Sequence, residues 1–185
     1  PASLRMGPAP AMGCHMRALL LALTALSAQA ATYYVTVAGL GGEPEYDQRF
    51  QGWAHDLDKL LKASPDAKVT TLTGAQATRA QFQSTLQQIA RDASKDDALV
   101  LMIIGHGSFD GQDYKVNLPG PDISAAEIGA LLDRIAARQL VVNTTSASGA
   151  SFAVLKKENR AIIAATKSGT EKNATLFARY WVEAL

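Results

Sequence analysis

The chain has 185 residues, 48% of them hydrophobic and 19% charged, enough apolar material for one domain with a core and too much for a disordered tail. Eighteen basic residues against seventeen acidic ones leave a formal charge of +1, which gives no electrostatic basis for binding nucleic acid. A partner must be sought in local segments.

Met16 and Arg17 precede an apolar run, Ala18 to Leu26, followed by Ser27-Ala28-Gln29-Ala30. A short basic start, an apolar stretch too short to cross a bilayer and small residues at Ala28 and Ala30 predict a secretory signal over residues 16–30, cleaved after Ala30. The competing reading is a buried core helix, but the run has no polar face. Met16 is then the expected start, residues 1–15 are upstream sequence, and residues 31–185 form the domain. The expected location is periplasmic or secreted, with no membrane span left after cleavage. Removing residues 1–30 takes away two arginines and no acids, so the charge falls to −1. It also takes Cys14, the single cysteine, and with it disulfides, thiolate metal sites and any cysteine nucleophile.

Beyond Ala30 the pattern alternates. Thr32 to Ala38 is a β-branched and aromatic run, and Glu45 to Ala63 carries Phe50, Trp53, Leu57, Leu60 and Leu61 at helical spacing. Lys68 to Leu72 reads as an edge strand. Thr78-Arg79-Ala80-Gln81 is a capping box opening a helix that buries Phe82, Leu86, Ile89 and Ala90 and ends near Ala93. Ala98 to Ile104 is apolar throughout, as a strand covered on both faces must be, so it belongs at the centre of the sheet. Ser124-Ala125-Ala126-Glu127 caps a further helix with Ile128, Leu131, Leu132 and Ile135. Leu140 to Val142 and Ala161 to Ala165 read as strands, and the last helix runs over about Ala174 to Ala184. The expected fold class is α/β, a mostly parallel five-stranded sheet with helices on both faces. Right-handed crossovers bring the C-terminal ends of all strands to one edge, where such folds bind ligands.

Two loops at that edge carry chemistry. After the central strand comes Gly105-His106-Gly107-Ser108-Phe109-Asp110-Gly111. An imidazole between two glycines suits a general base whose neighbouring N–H groups can approach an oxyanion; the competing reading is a glycine-rich turn whose histidine only bonds the loop. After the next central strand comes Asn143-Thr144-Thr145-Ser146-Ala147-Ser148-Gly149-Ala150, with Ser146 where a nucleophile would be lifted to the edge. Here ordinary helix capping by Ser and Thr competes. The G-x-S-x-G elbow of α/β-hydrolases is absent from the sequence.

An apolar strand ending in His-Gly, then about forty residues containing one helix, then a buried strand ending in a nucleophile-x-Ser-Gly turn resembles the caspase and legumain type of cysteine peptidase. Ala38-Gly39 and Tyr46 to Arg49 are similar to the first strand-loop of legumains. The resemblance implies a caspase-like three-layer sandwich. It makes His106 the catalytic histidine, Gly107 an oxyanion-hole donor, Ser146 the occupant of the nucleophile position, and Arg49, Ala147 and Ser148 substrate-binding residues. It also implies a peptide or protein segment as partner and no cofactor. Ser146 stands where the family has cysteine, and a hydroxyl is much harder to ionise than a thiol, so weak or absent peptidase activity is expected. Ala147 replaces the acidic residue of legumains, so asparagine specificity does not transfer. A sixth strand typical of the family is not evident before Leu185, which suggests a chain stopping inside the domain.

Two other functions stay open: a working serine hydrolase with a Ser146–His106 dyad, and a nucleotide or small-ligand binder using Gly39 to Gly42. The latter lacks a third fingerprint glycine, where Pro44 stands, and an acid after the second strand. His55 with Asp56 and Asp58, and His106 with Asp110 and Asp113, are conceivable metal groups, but a solvated helix face and a glycine-rich acidic turn are the preferred explanations; no metal is expected. Lys156, Lys157, Arg160, Lys167 and Lys172 read as ordinary surface.

Overall fold

The computed structural model describes residues 30–185. The predicted signal segment lies, but for Ala30, outside the described residues. The elements follow the alternation of the sequence: β1 (Thr32–Ala38), α1 (Pro44–Lys62), β2 (Ala67–Leu72), α2 (Arg79–Asp92) and β3 (Ala98–Ile104). Three short strands follow, β4 (Gly107–Phe109), β5 (Tyr114–Val116) and β6 (Ile123–Ser124), then α3 (Ala125–Leu132), β7 (Arg138–Asn143), α4 (Phe152–Leu155), β8 (Arg160–Ala164) and α5 (Phe177–Glu183).

The five long strands form one sheet in the order β2-β1-β3-β7-β8, with every pair parallel. The apolar run over 98–104 is central, as its composition requires. Because side chains alternate along a strand, Leu99, Leu101 and Ile103 join one core cluster with Phe82, Leu86, Ile128 and Leu132 of α2 and α3. Met102 and Ile104 join the other, with Phe50, Ala54 and Leu57 of α1 and Ala178 of α5. The result is a three-layer sandwich with this parallel sheet between helices. Among the described residues no helix is long and apolar enough to cross a membrane.

Local chemistry sets the helix starts. Ser124 and Glu127 make a full capping box: the Ser124 hydroxyl accepts from the Glu127 N–H at 3.2 Å and the Glu127 carboxylate accepts from the Ser124 N–H at 3.0 Å. Thr78 accepts from the Gln81 N–H at 3.2 Å. Two features differ from the expectation. The last helix starts at Phe177, not Ala174, because residues 165–176 are spent as an irregular strap across the sheet edge. The segment after His106 forms an antiparallel sheet, β4-β5-β6, whose two- and three-residue strands are too short for a period of two to show.

Candidate functional site

β3 and β7 are direct neighbours, with Ile103 opposite Asn143, so the chain leaves the sheet side by side at the His-Gly turn and at the Ser/Thr loop. The two exits are stitched at once: the Thr144 N–H and hydroxyl both donate to the Ile103 carbonyl, at 2.9 and 2.8 Å. Gly105 lies at φ +145°, and a Cβ there would sit 3.3 Å from the Gly39 Cα, so glycine lets β3 turn against the β1 exit.

The predicted nucleophile and oxyanion donor meet directly. The Ser146 hydroxyl accepts from the Gly107 N–H at 3.1 Å and donates to the Gly107 carbonyl at 3.0 Å. Strand pairing explains why both groups are available. The Asn117 N–H donates to the His106 carbonyl, so the next pair, Gly107 opposite Val116, is a non-hydrogen-bonded one whose backbone groups point away from the hairpin. They point at Ser146. A side chain at position 107 could not fit: its Cβ would lie 2.5 Å from the Ser146 carbonyl oxygen and 2.7 Å from Thr145 Oγ1. Ser146 is 1% exposed.

The imidazole of His106 takes another neighbourhood. It packs edge-on against two rings of α1, Tyr46 at 5.5 Å and Phe50 at 5.4 Å between centroids. The hydrogen bonds of the Ser146 hydroxyl thus go to the backbone beside the histidine and not to the ring. Ala147 adopts the left-handed conformation, φ 54° and ψ 11°, unusual for a residue with a Cβ. It is held there by its N–H, which donates to the Glu171 carbonyl at 2.7 Å. Ala147 and Ser148 are fully buried; Ser148 Oγ accepts from the Thr166 N–H at 3.1 Å, and Gly149 N–H donates to Thr166 Oγ1 at 2.9 Å.

A buried polar network lies beneath this loop. Asn143 Nδ2 donates to the Tyr114 hydroxyl at 3.0 Å and to Ser151 Oγ at 3.2 Å, and Thr145 Oγ1 donates to Asn143 Oδ1 at 2.9 Å. Tyr114 also shares a short hydrogen bond with Thr145. Burial pushes the Tyr114 phenol up to about 12, against the opposing hydrogen bonds from Thr145 and Asn143. Such a network, with partners throughout, fixes one loop conformation. Residues 165–176 close over the loop: Thr166 holds Ser148 and Gly149, Glu171 holds Ala147, and the Thr175 hydroxyl donates to the Thr144 carbonyl.

Beside His106 a groove of about 410 Å³ runs between α1 and the strap, lined by Tyr46, Arg49, Phe50, Trp53, Ala174–Leu176 and Arg179. Arg49 therefore sits in a groove next to the histidine, separated from it by the Tyr46 and Phe50 rings. Sequence reasoning assigns no site role to Phe50, Trp53, Ala174, Thr175, Leu176 or Arg179: Phe50 and Trp53 show only as the helix stripe, and the other four only by their place on the last expected helix.

The remaining sequence candidates are engaged elsewhere. In the glycine loop, Gly39 N–H donates to the Ile104 carbonyl, Leu40 N–H to the Asn117 carbonyl and Gly41 N–H to Asp47 Oδ1, leaving none of these three donors for a phosphate. Asp58 accepts from Lys62 at 2.7 Å and Thr71 at 2.8 Å, and these bonds, Lys62 first, hold its carboxyl below the usual range against some desolvation. Asp110 Oδ1 accepts from the N–H groups of Gln112 and Asp113, a turn of its own. Among the described residues no group of three His, Cys, Asp or Glu side chains could hold a metal ion. Arg160 departs from the surface reading: it is 6% exposed and donates to Gln139 Oε1 at 2.7 Å, the Leu155 carbonyl at 2.7 Å and Asp133 Oδ1 at 2.8 Å. A periodic strand start hides this role, since the partners come from three other elements.

No family model matches the sequence, and no curated protein matches it. Among solved structures the chain is similar to protein GSU0716 from Geobacter sulfurreducens, at 21% identity over 63% of this chain and 50% of that one, with a TM-score of 0.48. It is also similar to Raptor from Chaetomium thermophilum, at 10% identity over 68% of this chain and 13% of that one, with a TM-score of 0.45. The chain thus spans half of the first protein and a small part of the second.

Proposed function

We propose that this chain is an exported domain of the caspase and legumain type that holds a peptide or protein segment in a cleft beside His106 and cleaves peptides weakly or not at all. The observation that carries this reading is the double hydrogen bond between Ser146 and Gly107. A serine nucleophile needs its proton on a base and its oxyanion donor free. Here the proton is directed to a carbonyl, and the Gly107 N–H is engaged by the hydroxyl itself. The hydroxyl closes the loop instead of attacking from it.

The hydrolase reading has one observation in its favour, the left-handed Ala147 directly after Ser146, since strained backbone gathers at catalytic turns. One experiment separates the two. A fluorophosphonate probe is applied to the wild type and to Ser146→Ala across pH 6–9, and Ser146→Cys is offered peptides of varied residue before the scissile bond. Our reading expects no labelling of the wild type. Labelling that disappears in Ser146→Ala establishes the hydrolase. Cleavage or thiol labelling by Ser146→Cys supports the family assignment of position 146, and its absence in a folded variant removes it. Export is checked separately, by sequencing the N-terminus of protein recovered outside the cytoplasm: Ala31 is expected.

A further inference from the structure

Charge is divided along the chain. Residues 31–133 hold eight basic and fourteen acidic side chains, whereas residues 134–172 hold seven basic and two acidic. Because the sheet order is β2-β1-β3-β7-β8, the second stretch occupies one side of the molecule, that of β7 and β8, and the domain has a cationic side despite a net charge near zero. The cations gather where α3 and α4 end and β7 and β8 begin: Arg134, Arg138, Lys156 and Lys157 are exposed there, with Asp133 and Glu158 as the acids. Asp133 is taken by Lys157 at 2.9 Å and by the buried Arg160 at 2.8 Å. Among the described residues Arg134, Arg138 and Lys156 have no carboxylate within ion-pair reach. Beside them, on α4, Phe152, Ala153 and Val154 are consecutive and exposed, Phe152 by 43% and Val154 by 52%. Such a run lowers solubility and marks a surface that is meant to be covered. The turn is no frayed end. Its fourth residue, Leu155, is buried in the core beside Gly129 of α3, the Lys156 N–H donates to the Phe152 carbonyl at 3.0 Å, and Arg160 donates to the Leu155 carbonyl at 2.7 Å.

We infer that this side of the domain lies on a membrane surface bearing anionic phospholipid, with Phe152 and Val154 entering the boundary between headgroups and acyl chains and Lys156, Lys157 and Arg134 facing the lipid phosphates. The contact is peripheral and not a span. Each Lys or Arg near such a surface gains from its negative potential, and the long basic side chains lay their stems along the apolar zone while the charges stay in the headgroups. A soluble polyanion would use the cations and leave Phe152 and Val154 in water. Neither feature belongs to the cleft beside His106, so the inference stands apart from the peptidase reading.

The test uses residues 31–185, which hold both core clusters and omit the apolar run 18–26, itself able to bind lipid. Sedimentation is measured with vesicles of phosphatidylcholine alone and with about 30% phosphatidylglycerol, at about 0.1 M and about 0.5 M salt. No cysteine follows Cys14, so Ala153→Cys and, on α1, Leu60→Cys each carry a single NBD label whose emission brightens in an apolar environment. Binding is expected to be about tenfold tighter to the phosphatidylglycerol vesicles and weaker at the higher salt, with the label at 153 brightening and that at 60 unchanged. With the fold checked by thermal melts, Lys156→Gln should weaken binding about fivefold and Phe152→Ser about tenfold, while Lys59→Gln on α1 should leave it as it is. No binding, equal binding to the two kinds of vesicle, brightening at 60 instead of 153, or undiminished binding by Phe152→Ser overturns the inference. Salt-sensitive binding without brightening at 153, matched by binding to soluble polyglutamate, makes this face a polyanion site and overturns it as well.

Discussion

Replacing Ser146 by alanine asks whether its hydroxyl is a clasp or a weapon. The substitution removes a buried oxygen that satisfies two backbone groups of Gly107, at 3.1 and 3.0 Å, and because Gly107 faces Val116 as a non-hydrogen-bonded pair, the hairpin offers neither group another partner. Leaving one buried polar group unpaired costs about 1–3 kcal/mol. Gly107 is only half-buried, so water can reach part of it, and about 1 kcal/mol per group, about 2 kcal/mol together, is the expected loss. For a domain of this size about 1 kcal/mol moves the midpoint by roughly 2–4 °C, so Ser146→Ala should melt about 4–8 °C below the wild type and unfold at lower urea. A catalytic nucleophile behaves oppositely, since active sites trade stability for function and their replacement is neutral or stabilising. Thermal melts of the two proteins, with urea midpoints as a second readout, decide the matter: an unchanged or higher midpoint for Ser146→Ala would refute the clasp and revive the hydrolase.

Gly107→Ala should be worse than Ser146→Ala, by more than about 3 kcal/mol, because the added methyl meets backbone oxygen and the Tyr114 ring within 2.7 Å; a soluble, cooperatively melting variant of near-native midpoint would contradict the close approach. Tyr114 should ionise above the usual tyrosine range. Its native value of about 12 stands above the unfolded value of 10.0, so the unfolded state loses its proton first, and stability present below pH 10 declines as pH rises toward 12. Ultraviolet titration of the phenolate against Tyr114→Phe, which should lose the step near 12, checks this. Asp97 Oδ2 accepts from the Ser94 N–H and Oδ1 from the Ala31 N–H, each at 2.7 Å, and these bonds, Ser94 first, hold its carboxyl below 3.8. Its contribution is present above that value and fades as pH falls through the lowered one. Cleavage after Ala30 would turn the Ala31 donor into an ammonium, so a chain beginning at Ala31 should melt higher than one carrying residues 1–30, and Asp97→Asn should shrink the gap.

What could be read beforehand followed from burial. The stretch 98–104 announces its central place because every residue in it is apolar, and the helix stripes at Phe82, Leu86 and Ile89 or Phe50 and Leu57 reappear as the two core clusters. The nearness of Gly107 and Ser146 was legible too, because adjacent parallel strands deliver their exits together. Which atoms meet was not: the Ser146 hydroxyl meets backbone, and that depends on β4 pairing with β5, strands of three residues whose register no periodicity reveals. The same limit hid Tyr114, whose phenol reaches Asn143 from that hairpin, and Arg160, itself buried, whose partners come from β7, α4 and the residue that follows α3. Charge on a side chain says little about where its neighbours will be.

The strap over 165–176 grips the Ser146 loop at Ala147 through the carbonyl of Glu171, a group every amino acid possesses. Changing the letter at that place should leave the grip intact, whereas deleting a single residue there would slide each handhold past its mate. Evolution or an engineer could thus exchange that side chain, giving up its own bond to the Lys167 N–H, provided the number of links stays the same.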